Sequence, residues 1–456
     1  MQDKDVYNNI KVIIIGGGAT GMAVATSLMR HSDYSVTVFS ADSHTAYSQC
    51  GMPFAIGGKI KDLGSLVLRN RKFFMDMGID LKLESKVNKI NLEEHFISYA
   101  GKNHHFDKLV IATGSKAKIP GNIKGTSLKN VFTLRTLSDA MMIEKAFTNA
   151  SNVVIIGGGS IGAELAAAAA GRKIDTTLIN RSSSILSRNI DPDMAEPVRE
   201  HLEFLGVKVI TGYLPRSING EEYAESVTVD STDFPADVVI IATGVEPENE
   251  LAADAGLDIG ITGGIIVNEY LNPSVGGRYD PDIYCGGECV EVHGLITGKA
   301  ILSQVASTAR RMAGTITANL ISESAKFGPI LNPWVAVIGD IQAGTTGITS
   351  KEAIENGMKI VTGIATGSTR ADYYPGGSKL YIKLIFSDRY LAGAQVVGGE
   401  GVKERIDALT LAIKKRMTAD ELANIETCYA PPVAMLTDPV VFAAKGALKK
   451  MRNSKT

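Results

Sequence analysis

The stretch that decides the fold lies near the amino terminus, where residues 10–21 read IKVIIIGGGATG. Its first half is apolar and rich in β-branched side chains, which favours a buried parallel strand. The glycines Gly16, Gly18 and Gly21 permit a tight turn, close approach of the backbone to a pyrophosphate and close packing of the next helix. A helical pattern and a second apolar strand at residues 35–39 complete a βαβ unit. The stretch therefore predicts a dinucleotide-binding loop at the amino end of a helix.

The same design returns about one domain length further along the chain. An apolar strand at residues 152–156 runs into a loop with glycines at the matching positions, Gly157, Gly159 and Gly162. An alanine-rich helix and a strand at residues 175–179 come next. Two loops of this kind predict two dinucleotides, one held as a prosthetic group and one that comes and goes.

A second echo supports this internal repeat. Residues 107–114 read DKLVIATG near the end of the first unit, and residues 237–244 read DVVIIATG near the end of the second. Beyond residue 326 the sequence changes to Gly/Pro-rich turns, an alternating strand at 379–386 and an amphipathic stretch at 402–416. We therefore predict an α/β protein with two Rossmann-like, doubly wound βαβ domains followed by an α+β domain.

The end of each unit's second strand indicates which dinucleotide is bound, because an acidic residue there binds a ribose 2′-hydroxyl and a basic one accommodates a 2′-phosphate. The first unit has Ser40 at this position and Asp42 two residues on. The second unit has Asn180 followed by Arg181 and, further on, Arg188. Since the acid is missing and cations are present, the second unit favours NADPH over NADH. The alternative is that Arg181 is a solvated surface charge.

Composition narrows the function classes. The chain has 456 residues, with Lys+Arg at 47 against Asp+Glu at 49 and a net charge of −2. Because neither sign forms a long run, no nucleic-acid partner is expected. No apolar stretch reaches the roughly 18–20 residues of a membrane span, and the polar amino terminus does not resemble a secretory signal. The four scattered cysteines lack a histidine pair at ligand spacing and predict no disulfide framework, no metal site and a cytoplasmic location.

One of these cysteines has the surroundings of a reactive thiol. Cys50 stands in the segment AYSQCGMPFAI, directly after the first unit's second strand. Pro53 suits the first turn of a helix, which would place the sulfur near the positive end of a helix dipole and lower its pKa. Thr45 stands five residues earlier, so Cys50 has no local disulfide partner. The segment predicts a redox-active thiolate, and the alternative is an inert buried thiol.

Together these motifs resemble the flavin-dependent pyridine nucleotide-disulfide oxidoreductases over essentially the whole chain. The resemblance is most specific for the single-cysteine branch, which includes coenzyme A-disulfide reductases, persulfide reductases, NADH oxidases and NADH peroxidases. The matching pieces are the two glycine loops, SQCG with Pro53, the two ATG segments, Glu164 after the second loop, and DIYCGGEC at residues 282–289. The resemblance implies a glutathione-reductase-like fold with FAD on the first unit and NADPH or NADH on the second.

The resemblance also implies domain limits and cofactor contacts. It places a discontinuous FAD-binding domain at residues 1–118 and 250–325, an NAD(P)-binding domain at 119–249 and a dimerisation domain at 326–456. In the family the last motif ends in an aspartate that binds the flavin's ribityl chain, and here Glu288 keeps the charge with one more methylene. The cofactor-binding residues are then Gly16, Gly18, Gly21, Ser40, Asp42, Thr113, Gly114, Gly157, Gly159, Gly162, Glu164, Arg181, Gly244 and Glu288.

Two tyrosine-bearing segments indicate the position within the branch. Residues 373–376 (YYPG) and 429–432 (YAPP) resemble segments that, in coenzyme A-disulfide reductase, come from the partner subunit and face the active cysteine. The first glycine loop has Ala19 where the oxidases and peroxidases carry a histidine. The resemblance therefore implies a homodimer in which Tyr374 and Tyr429 act in trans as catalytic residues. Interface packing is the alternative role of both tyrosines.

The implied function is reduction of coenzyme A disulfide, or of a related persulfide or polysulfide, through a mixed disulfide of Cys50 with coenzyme A. Gln49 and Arg30 are expected to contact the substrate, Gln49 beside the sulfur and Arg30 at a phosphate. Cys428, next to Tyr429, is a candidate resolving thiol for the other subunit's active cysteine. Two other hypotheses stay open. One is an NADH oxidase in which Cys50 cycles through a sulfenic acid, and the other is a flavoprotein binding module without fast turnover.

Overall fold

Three five-stranded sheets form the frame that holds these motifs. The computed structural model describes residues 9–322 and 324–453. In this part of the chain the helices are α1 (Ala19–Leu28), α2 (Met52–Ile56), α3 (Arg71–Asp76), α4 (Leu137–Phe147), α5 (Ser160–Gly171), α6 (Pro192–Phe204), α7 (Glu250–Asp254), α8 (Ala306–Leu320), α9 (Ser350–Glu355), α10 (Val402–Lys414), α11 (Ala419–Ala423) and α12 (Pro439–Asn453).

The strands are β1 (Ile10–Ile15), β2 (Tyr34–Phe39), β3 (Asp80–Lys82), β4 (Lys89–Asn91), β5 (Phe96–Tyr99), β6 (Lys102–His105), β7 (Lys108–Ile111), β8 (Ser115–Ala117), β9 (Val131–Phe132), β10 (Asn152–Ile156), β11 (Asp175–Asn180), β12 (Val207–Thr211), β13 (Ser217–Asn219), β14 (Ser226–Val229), β15 (Thr232–Pro235), β16 (Val238–Ile241), β17 (Val245–Pro247), β18 (Ile265–Ile266), β19 (Ser274–Val275), β20 (Arg278–Tyr279), β21 (Ile283–Cys285), β22 (Val290–His293), β23 (Ala300–Leu302), β24 (Trp334–Ile338), β25 (Ile341–Gly347), β26 (Ile360–Ser368), β27 (Lys379–Ser387) and β28 (Tyr390–Gly398). Short 3₁₀ turns lie at Gln49–Gly51 and Leu63–Leu66.

The first sheet carries the first glycine loop at its carboxyl edge. Its strand order is β21-β7-β1-β2-β3, and every pairing is parallel. β1 lies in the middle, and its residues from Val12 to Ile15 are buried. A continuous apolar run is what a parallel strand covered on both faces requires. The strand–loop–helix unit predicted from residues 10–21 is therefore confirmed.

The second sheet repeats the first. Its strand order is β12-β11-β10-β16-β9, again parallel throughout. β10 aligns with β11 from Asn152 opposite Asp175, as β1 aligns with β2 from Ile10 opposite Tyr34. In each sheet the strand of the ATG segment, β7 or β16, lies on the other side of the central strand. The predicted internal repeat is thus present in the backbone.

The third sheet is antiparallel and forms the α+β unit predicted beyond residue 326. Its order is β24-β25-β28-β27-β26. Side chains alternate between its two faces: Leu380, Ile382 and Leu384 belong to the core with α10 and α12, whereas Lys383 contacts Asp193 of α6. The sheet therefore packs against the second dinucleotide unit. Within residues 9–322 and 324–453, no helix is long and apolar enough to cross a membrane.

Candidate active site

The first glycine loop has the geometry of a dinucleotide cradle. Gly16 has a φ of +116°, and a Cβ there would lie 2.0 Å from the carbonyl oxygen of Ala112. A Cβ on Gly21 would lie 2.0 Å from the Gly16 oxygen, so strand and helix pack too closely for any side chain. At Gly18 nothing lies within 4 Å, which leaves open space at the start of α1. The loop therefore fits a pyrophosphate held by backbone N–H groups at a helix N-terminus.

The second loop repeats these contacts. Gly157 also has a φ of +116°, with the Ala242 oxygen 2.3 Å from a built Cβ. A Cβ on Gly162 would lie 1.9 Å from the Gly157 oxygen, and Gly159 again faces open space. In both units the alanine of the ATG segment packs on the first glycine. In each half of the repeat, the glycine loop and the ATG segment therefore pack together as one structural unit. Both loops fit a dinucleotide.

The residues that end the second strands brace the loops. Ser40 is buried, and its Oγ accepts a hydrogen bond from the Asp42 amide at 3.3 Å. The Asn180 Oδ1 accepts from the Gly158 amide at 3.0 Å. Asp42 also accepts from the Tyr47 hydroxyl at 2.7 Å. Ser40 and Asn180 thus act first on the chain itself, and any contact of Ser40 or Asp42 with a ribose stays a prediction.

The two arginines of the second unit are exposed and differ in surroundings. The guanidinium of Arg188 lies beside Gly244, where a built Cβ would be 3.2 Å from Nη1. This places Arg188 at the carboxyl edge of the second sheet, next to the ATG segment at the end of β16. Arg181 directly follows β11 on the surface. Both cations are accessible to an anionic group of a nucleotide.

Thr113, Gly114 and Arg30, which are also predicted to contact the cofactor or the substrate, have different surroundings. The Thr113 hydroxyl donates to the Glu248 oxygen at 2.6 Å, and Gly114 has a φ of +74°. Arg30 is exposed just after the C-terminal end of α1, about 15 Å along that helix from the glycine loop. The role of Arg30 in binding substrate stays a prediction.

Cys50 occupies the 3₁₀ turn directly before α2, and Pro53 stands in the first turn of that helix as predicted. The residue is exposed, although the surrounding chain screens part of its sulfur from water. The prediction of a lowered thiol pKa is wrong for the groups that this chain supplies. Desolvation raises the pKa of Cys50, and the carboxylates of Glu164 and Glu288 raise it further. The pKa of Cys50 is thus raised in spite of its position just before the five-residue helix α2.

Arg135 is the cation of this site, and sequence reasoning missed it. Its guanidinium donates to the Glu288 carboxylate at 2.7 Å, to the Ser115 carbonyl oxygen at 2.8 Å and to the Gln49 Oε1 at 3.3 Å. The Ser115 hydroxyl donates to the same Glu288 oxygen. Arg135 therefore links Gln49, the residue before Cys50, to the carboxylate at the predicted flavin position. It also lowers the pKa of Cys50, against the effect of the carboxylates.

Glu164 lies on α5 at the junction with the third sheet. Its Oε1 accepts a hydrogen bond from the Val337 amide at 3.4 Å. Burial raises the pKa of Glu164 to about 7, because the charged form loses water that one long hydrogen bond does not replace. The carboxyl is close enough to raise the pKa of Cys50. Glu164, on the helix that follows the second glycine loop, therefore acts electrostatically on Cys50 in the 3₁₀ turn Gln49–Gly51.

Two tyrosines of the carboxy-terminal segments make a direct hydrogen bond in the structure. The Tyr429 hydroxyl shares a hydrogen bond of 2.7 Å with the hydroxyl of Tyr373. Tyr374 instead closes a backbone turn, its amide donating to the Ala371 oxygen at 2.8 Å. Tyr373 is 75% and Tyr429 42% exposed, so the pair faces outward from its own subunit. The catalytic roles of Tyr374 and Tyr429 in the partner's site stay predictions, and Tyr373 is a further hydroxyl beside Tyr429 that the sequence did not indicate. Cys428 is also exposed.

Two dinucleotide cradles on parallel sheets, with an exposed thiol next to the first, define an oxidoreductase that connects a nicotinamide coenzyme to a bound flavin. The chain belongs to the pyridine nucleotide-disulphide oxidoreductase family, whose model matches residues 10–313. The model of the family's dimerisation domain matches residues 334–439. The protein is thus a flavin enzyme dependent on NAD(P)H, with FAD as the family's prosthetic group, as the motifs predicted.

Three known proteins to which the chain is similar have different names within this family. It is 39% identical over 454 residues to an NADH oxidase of Methanocaldococcus jannaschii, covering 97% of this chain and 100% of that protein. It is 32% identical over 442 residues to an NAD(P)H coenzyme A polysulfide/persulfide reductase of Pyrococcus horikoshii, covering 95% and 98%. The solved structure of an NAD-dependent persulfide reductase from A. fulgidus superposes with a TM-score of 0.93 at 33% identity, covering 97% of this chain and 84% of that one.

Proposed function

We propose that this protein uses NADPH and FAD to reduce the disulfide of coenzyme A, or a related persulfide or polysulfide, through the single thiol of Cys50. The observation that carries the proposal is the site of that thiol. Cys50 is exposed, and the residue before it is hydrogen-bonded to Arg135. Five residues earlier the chain has Thr45 and not a second cysteine, so Cys50 has no local disulfide partner. Its disulfide partner in the reaction is therefore a substrate thiol.

The residues of this chain account for the exchange step. The Cys50 thiolate attacks one sulfur of the disulfide, the S–S bond breaks, and one thiolate leaves while the other stays as a mixed disulfide on Cys50. When bound, FAD supplies the transfer of two electrons from the nicotinamide that breaks this mixed disulfide and restores Cys50. Arg135 favours the thiolate, and Gln49, the residue before Cys50 whose Oε1 accepts from Arg135, orients the incoming molecule in this proposal. Because burial raises the pKa of Glu164 to about 7, its carboxyl carries only part of a negative charge near pH 7, which reduces its repulsion of the thiolate.

The leaving thiolate takes its proton from the tyrosine pair of the second subunit in this proposal. The hydrogen bond between Tyr373 and Tyr429 orients one hydroxyl as donor and leaves the other free to donate outward. Both hydroxyls lie on the part of the chain that matches the dimerisation domain. Their exposure in one subunit supports a role at a partner's site, where a proton donor within reach of the leaving sulfur assists exchange.

NADPH is the proposed reductant. The ribose-reading position of the second unit holds Asn180, so it offers no carboxylate to a ribose 2′-hydroxyl. The Asn180 side chain is already hydrogen-bonded to the glycine loop. Arg181 and Arg188 are exposed nearby, and Arg188 faces the ATG segment. A 2′-phosphate gains charge-assisted hydrogen bonds from such arginines, whereas a 2′-hydroxyl gains little.

A second candidate function is supported by relatives that are named NADH oxidases. The Methanocaldococcus jannaschii protein, identical to this chain at 39% of positions, is an NADH oxidase. In that case oxygen takes the electrons and Cys50 passes through a sulfenic acid that is reduced back to the thiol. The first glycine loop carries Ala19 at the position where the resemblance places the histidine of the oxidases and peroxidases, so this chain offers no histidine there to assist peroxide chemistry.

Mass spectrometry of the intact protein tests the proposal. Protein incubated with coenzyme A disulfide is expected to gain one coenzyme A per chain, released by NADPH, and Cys50→Ser is expected to gain none. Cys428→Ser is the matched control, because it removes the other exposed thiol. A coenzyme A adduct that persists in Cys50→Ser and disappears in Cys428→Ser would assign the chemistry to the wrong cysteine and overturn the proposal.

A further inference from the structure

The segment between β11 and α6 carries both arginines proposed to bind the 2′-phosphate. It begins after Asn180 and ends just before Asp191, the residue that precedes α6. It contains neither a helix nor a strand. A segment of this kind holds exposed cations in fixed positions only if its backbone is fixed elsewhere. We call residues 181–190 the arginine segment.

Two contacts within its own domain fix the arginine segment. At its start the Asn180 Nδ2 donates to the oxygens of Ser182 at 3.0 Å and Ser184 at 2.8 Å. In its middle the Leu186 amide donates to the Gly158 oxygen at 2.7 Å, directly in the glycine loop. Leu186 is buried and has a φ of +52°, so packing holds it in a conformation that a free leucine avoids. The first part of the segment is thus tied to the nucleotide loop.

The far end of the arginine segment is fixed in another domain. The Asp191 amide donates to the Gln395 Oε1 at 2.9 Å, and the Gln395 Nε2 returns a hydrogen bond to the Asp191 carboxylate at 3.0 Å. The Lys383 ammonium lies 2.9 Å from the same carboxylate and 2.8 Å from Asp193. The Ser350 amide donates to Asp191 at 3.0 Å. One carboxylate therefore joins the arginine segment to β27, β28 and α9.

This cluster is buried and is built into the third sheet. Asp191 is 3%, Gln395 0% and Lys383 7% exposed. Lys383 and Gln395 are directly opposite each other in the register of β27 and β28. A buried ion pair contributes little net stability compared with apolar side chains of the same size. Its directional contacts instead fix one arrangement of the groups that it joins.

We propose that the cluster of Asp191, Lys383 and Gln395 is a positioning site for coenzyme selection, which holds the arginine segment so that Arg181 and Arg188 meet the 2′-phosphate of NADPH. The inference rests on the proposed preference for NADPH. It makes the dimerisation domain a determinant of nucleotide specificity, although Lys383 and Gln395 do not contact the nucleotide. Because the 2′-phosphate distinguishes NADPH from NADH, loss of the cluster affects NADPH selectively.

Steady-state kinetics of the FAD-loaded enzyme test this inference with Lys383→Met. Met removes the ammonium and keeps an unbranched apolar side chain of similar length. We expect the KM for NADPH to rise roughly 10-fold, with kcat at saturating NADPH unchanged and the KM for NADH within about 2-fold. Asp193→Asn is the matched control, because it removes the other, half-exposed partner of Lys383 and leaves Asp191 in its network. It is expected to keep the wild-type ratio of the two KM values.

A second variant guards against a Lys383→Met protein that does not fold. Gln395→Leu keeps the ion pair of Lys383 with Asp191 and removes only the two hydrogen bonds between Gln395 and Asp191. It is expected to lower the preference for NADPH in the same direction. Equal increases in KM for NADPH and NADH in both variants, or no change in either, would show that the cluster serves folding alone and would overturn the inference.

Two further variants separate this inference from the proposed function. Arg181→Ala and Arg188→Ala alter the proposed phosphate contacts directly and leave the buried cluster intact. If neither raises the KM for NADPH, the proposed coenzyme preference is wrong and the inference is wrong with it. If they raise it and neither Lys383→Met nor Gln395→Leu does, the preference stands and only the positioning role is wrong.

Discussion

The two glycine-loop units share one geometry and differ in the segments after their second strands. Gly16 and Gly157 have the same φ of +116°, and each packs on the alanine of an ATG segment. After β2 the chain runs through Asp42 to the turn of Cys50, whereas after β11 it runs through two arginines to the buried Asp191. The shared loop geometry therefore makes both units suitable for binding a dinucleotide. The segments after the second strands differ between the units: one carries Cys50, and the other carries the two arginines proposed to select the coenzyme.

The largest effects should come from adding a methyl group to either loop. In Gly16→Ala the new Cβ meets the Ala112 oxygen at 2.0 Å, and in Gly157→Ala it meets the Ala242 oxygen at 2.3 Å, both at a φ that alanine avoids. Gly16→Ala is expected to be purified without yellow FAD. Gly157→Ala is expected to keep FAD and to lose NADPH binding by roughly 100-fold or more. Absorbance and NADPH titration distinguish the two outcomes.

Gly18→Ala and Gly159→Ala are the controls, because their Cβ atoms meet nothing of the chain within 4 Å. They are expected to fold normally and to weaken only the binding of the dinucleotide at their own loop. Loss of FAD from Gly157→Ala together with tight NADPH binding would contradict the assignment of the two loops.

The next largest effect is expected at Arg135. Arg135→Gln removes the cation that lowers the pKa of Cys50 and leaves the partly buried Glu288 without its ion pair. Disulfide reduction is expected to fall roughly 10- to 100-fold. The pH at which the Cys50 thiol becomes reactive should move upward, which the rate of iodoacetamide alkylation against pH measures directly.

Arg172→Gln is the matched control, because the Arg172 guanidinium contacts α2 through the Ile56 oxygen at 2.8 Å. It is expected to leave the alkylation profile of Cys50 unchanged. An Arg135→Gln protein whose thiol titrates at the wild-type pH would show that Arg135 has no part in activating Cys50.

A smaller effect is expected at the second unit's arginine segment. Arg188→Ala should raise the KM for NADPH roughly 10-fold through loss of a charge-assisted contact, with the KM for NADH nearly unchanged. Arg216→Ala is the control, because Arg216 is an exposed arginine of the same unit paired only loosely, at 3.8 Å, with Asp230. Equal KM values for Arg188→Ala and wild type would assign the preference for NADPH, if present, to other residues.

The last effect concerns the pH dependence of stability and leaves coenzyme binding and disulfide reduction aside. Burial raises the pKa of Glu164 to about 7 from its ordinary 4.5, so the folded protein favours the neutral carboxyl. The stability that this contributes is complete below pH 4.5 and is lost as the pH rises through 7. Between about pH 5 and 8 the wild type is expected to lose about 2 kcal/mol of unfolding free energy relative to Glu164→Gln. Urea denaturation at several pH values measures the difference, and parallel profiles would contradict it.

The sequence predicts the fold well because the decisive signals are local. A buried parallel strand needs a run of apolar residues, and a cradle needs glycines at fixed spacing, so IKVIIIGGGATG and its repeat are recognisable within a few residues. Cys50 and Pro53 are also recognisable, because both belong to one turn and the helix directly after it.

The missed parts of the site depend on contacts between distant residues. Arg135 reaches Gln49 across 86 positions and Glu288 across 153, and Tyr373 pairs with Tyr429 across 56. No periodicity in one segment indicates such partners. The capping box of Thr136 and Asp139 marks the start of α4 beside Arg135 but does not show where its guanidinium points. The wrong expectation for the Cys50 pKa has the same origin, since both the desolvation of the sulfur, which is the largest cause, and the opposing carboxylates of Glu164 and Glu288 depend on distant parts of the chain.

The measurement that tests the central claim most directly is stopped-flow reoxidation of the enzyme after its reduction by NADPH in the absence of oxygen. Mixing with coenzyme A disulfide is expected to restore the yellow absorbance of FAD rapidly in the wild type and not in Cys50→Ser. Mixing with oxygenated buffer is expected to restore it slowly in both. Rapid reoxidation by the disulfide in Cys50→Ser, or rapid reoxidation by oxygen alone in the wild type, would contradict the role given to Cys50 as the thiol that receives the substrate.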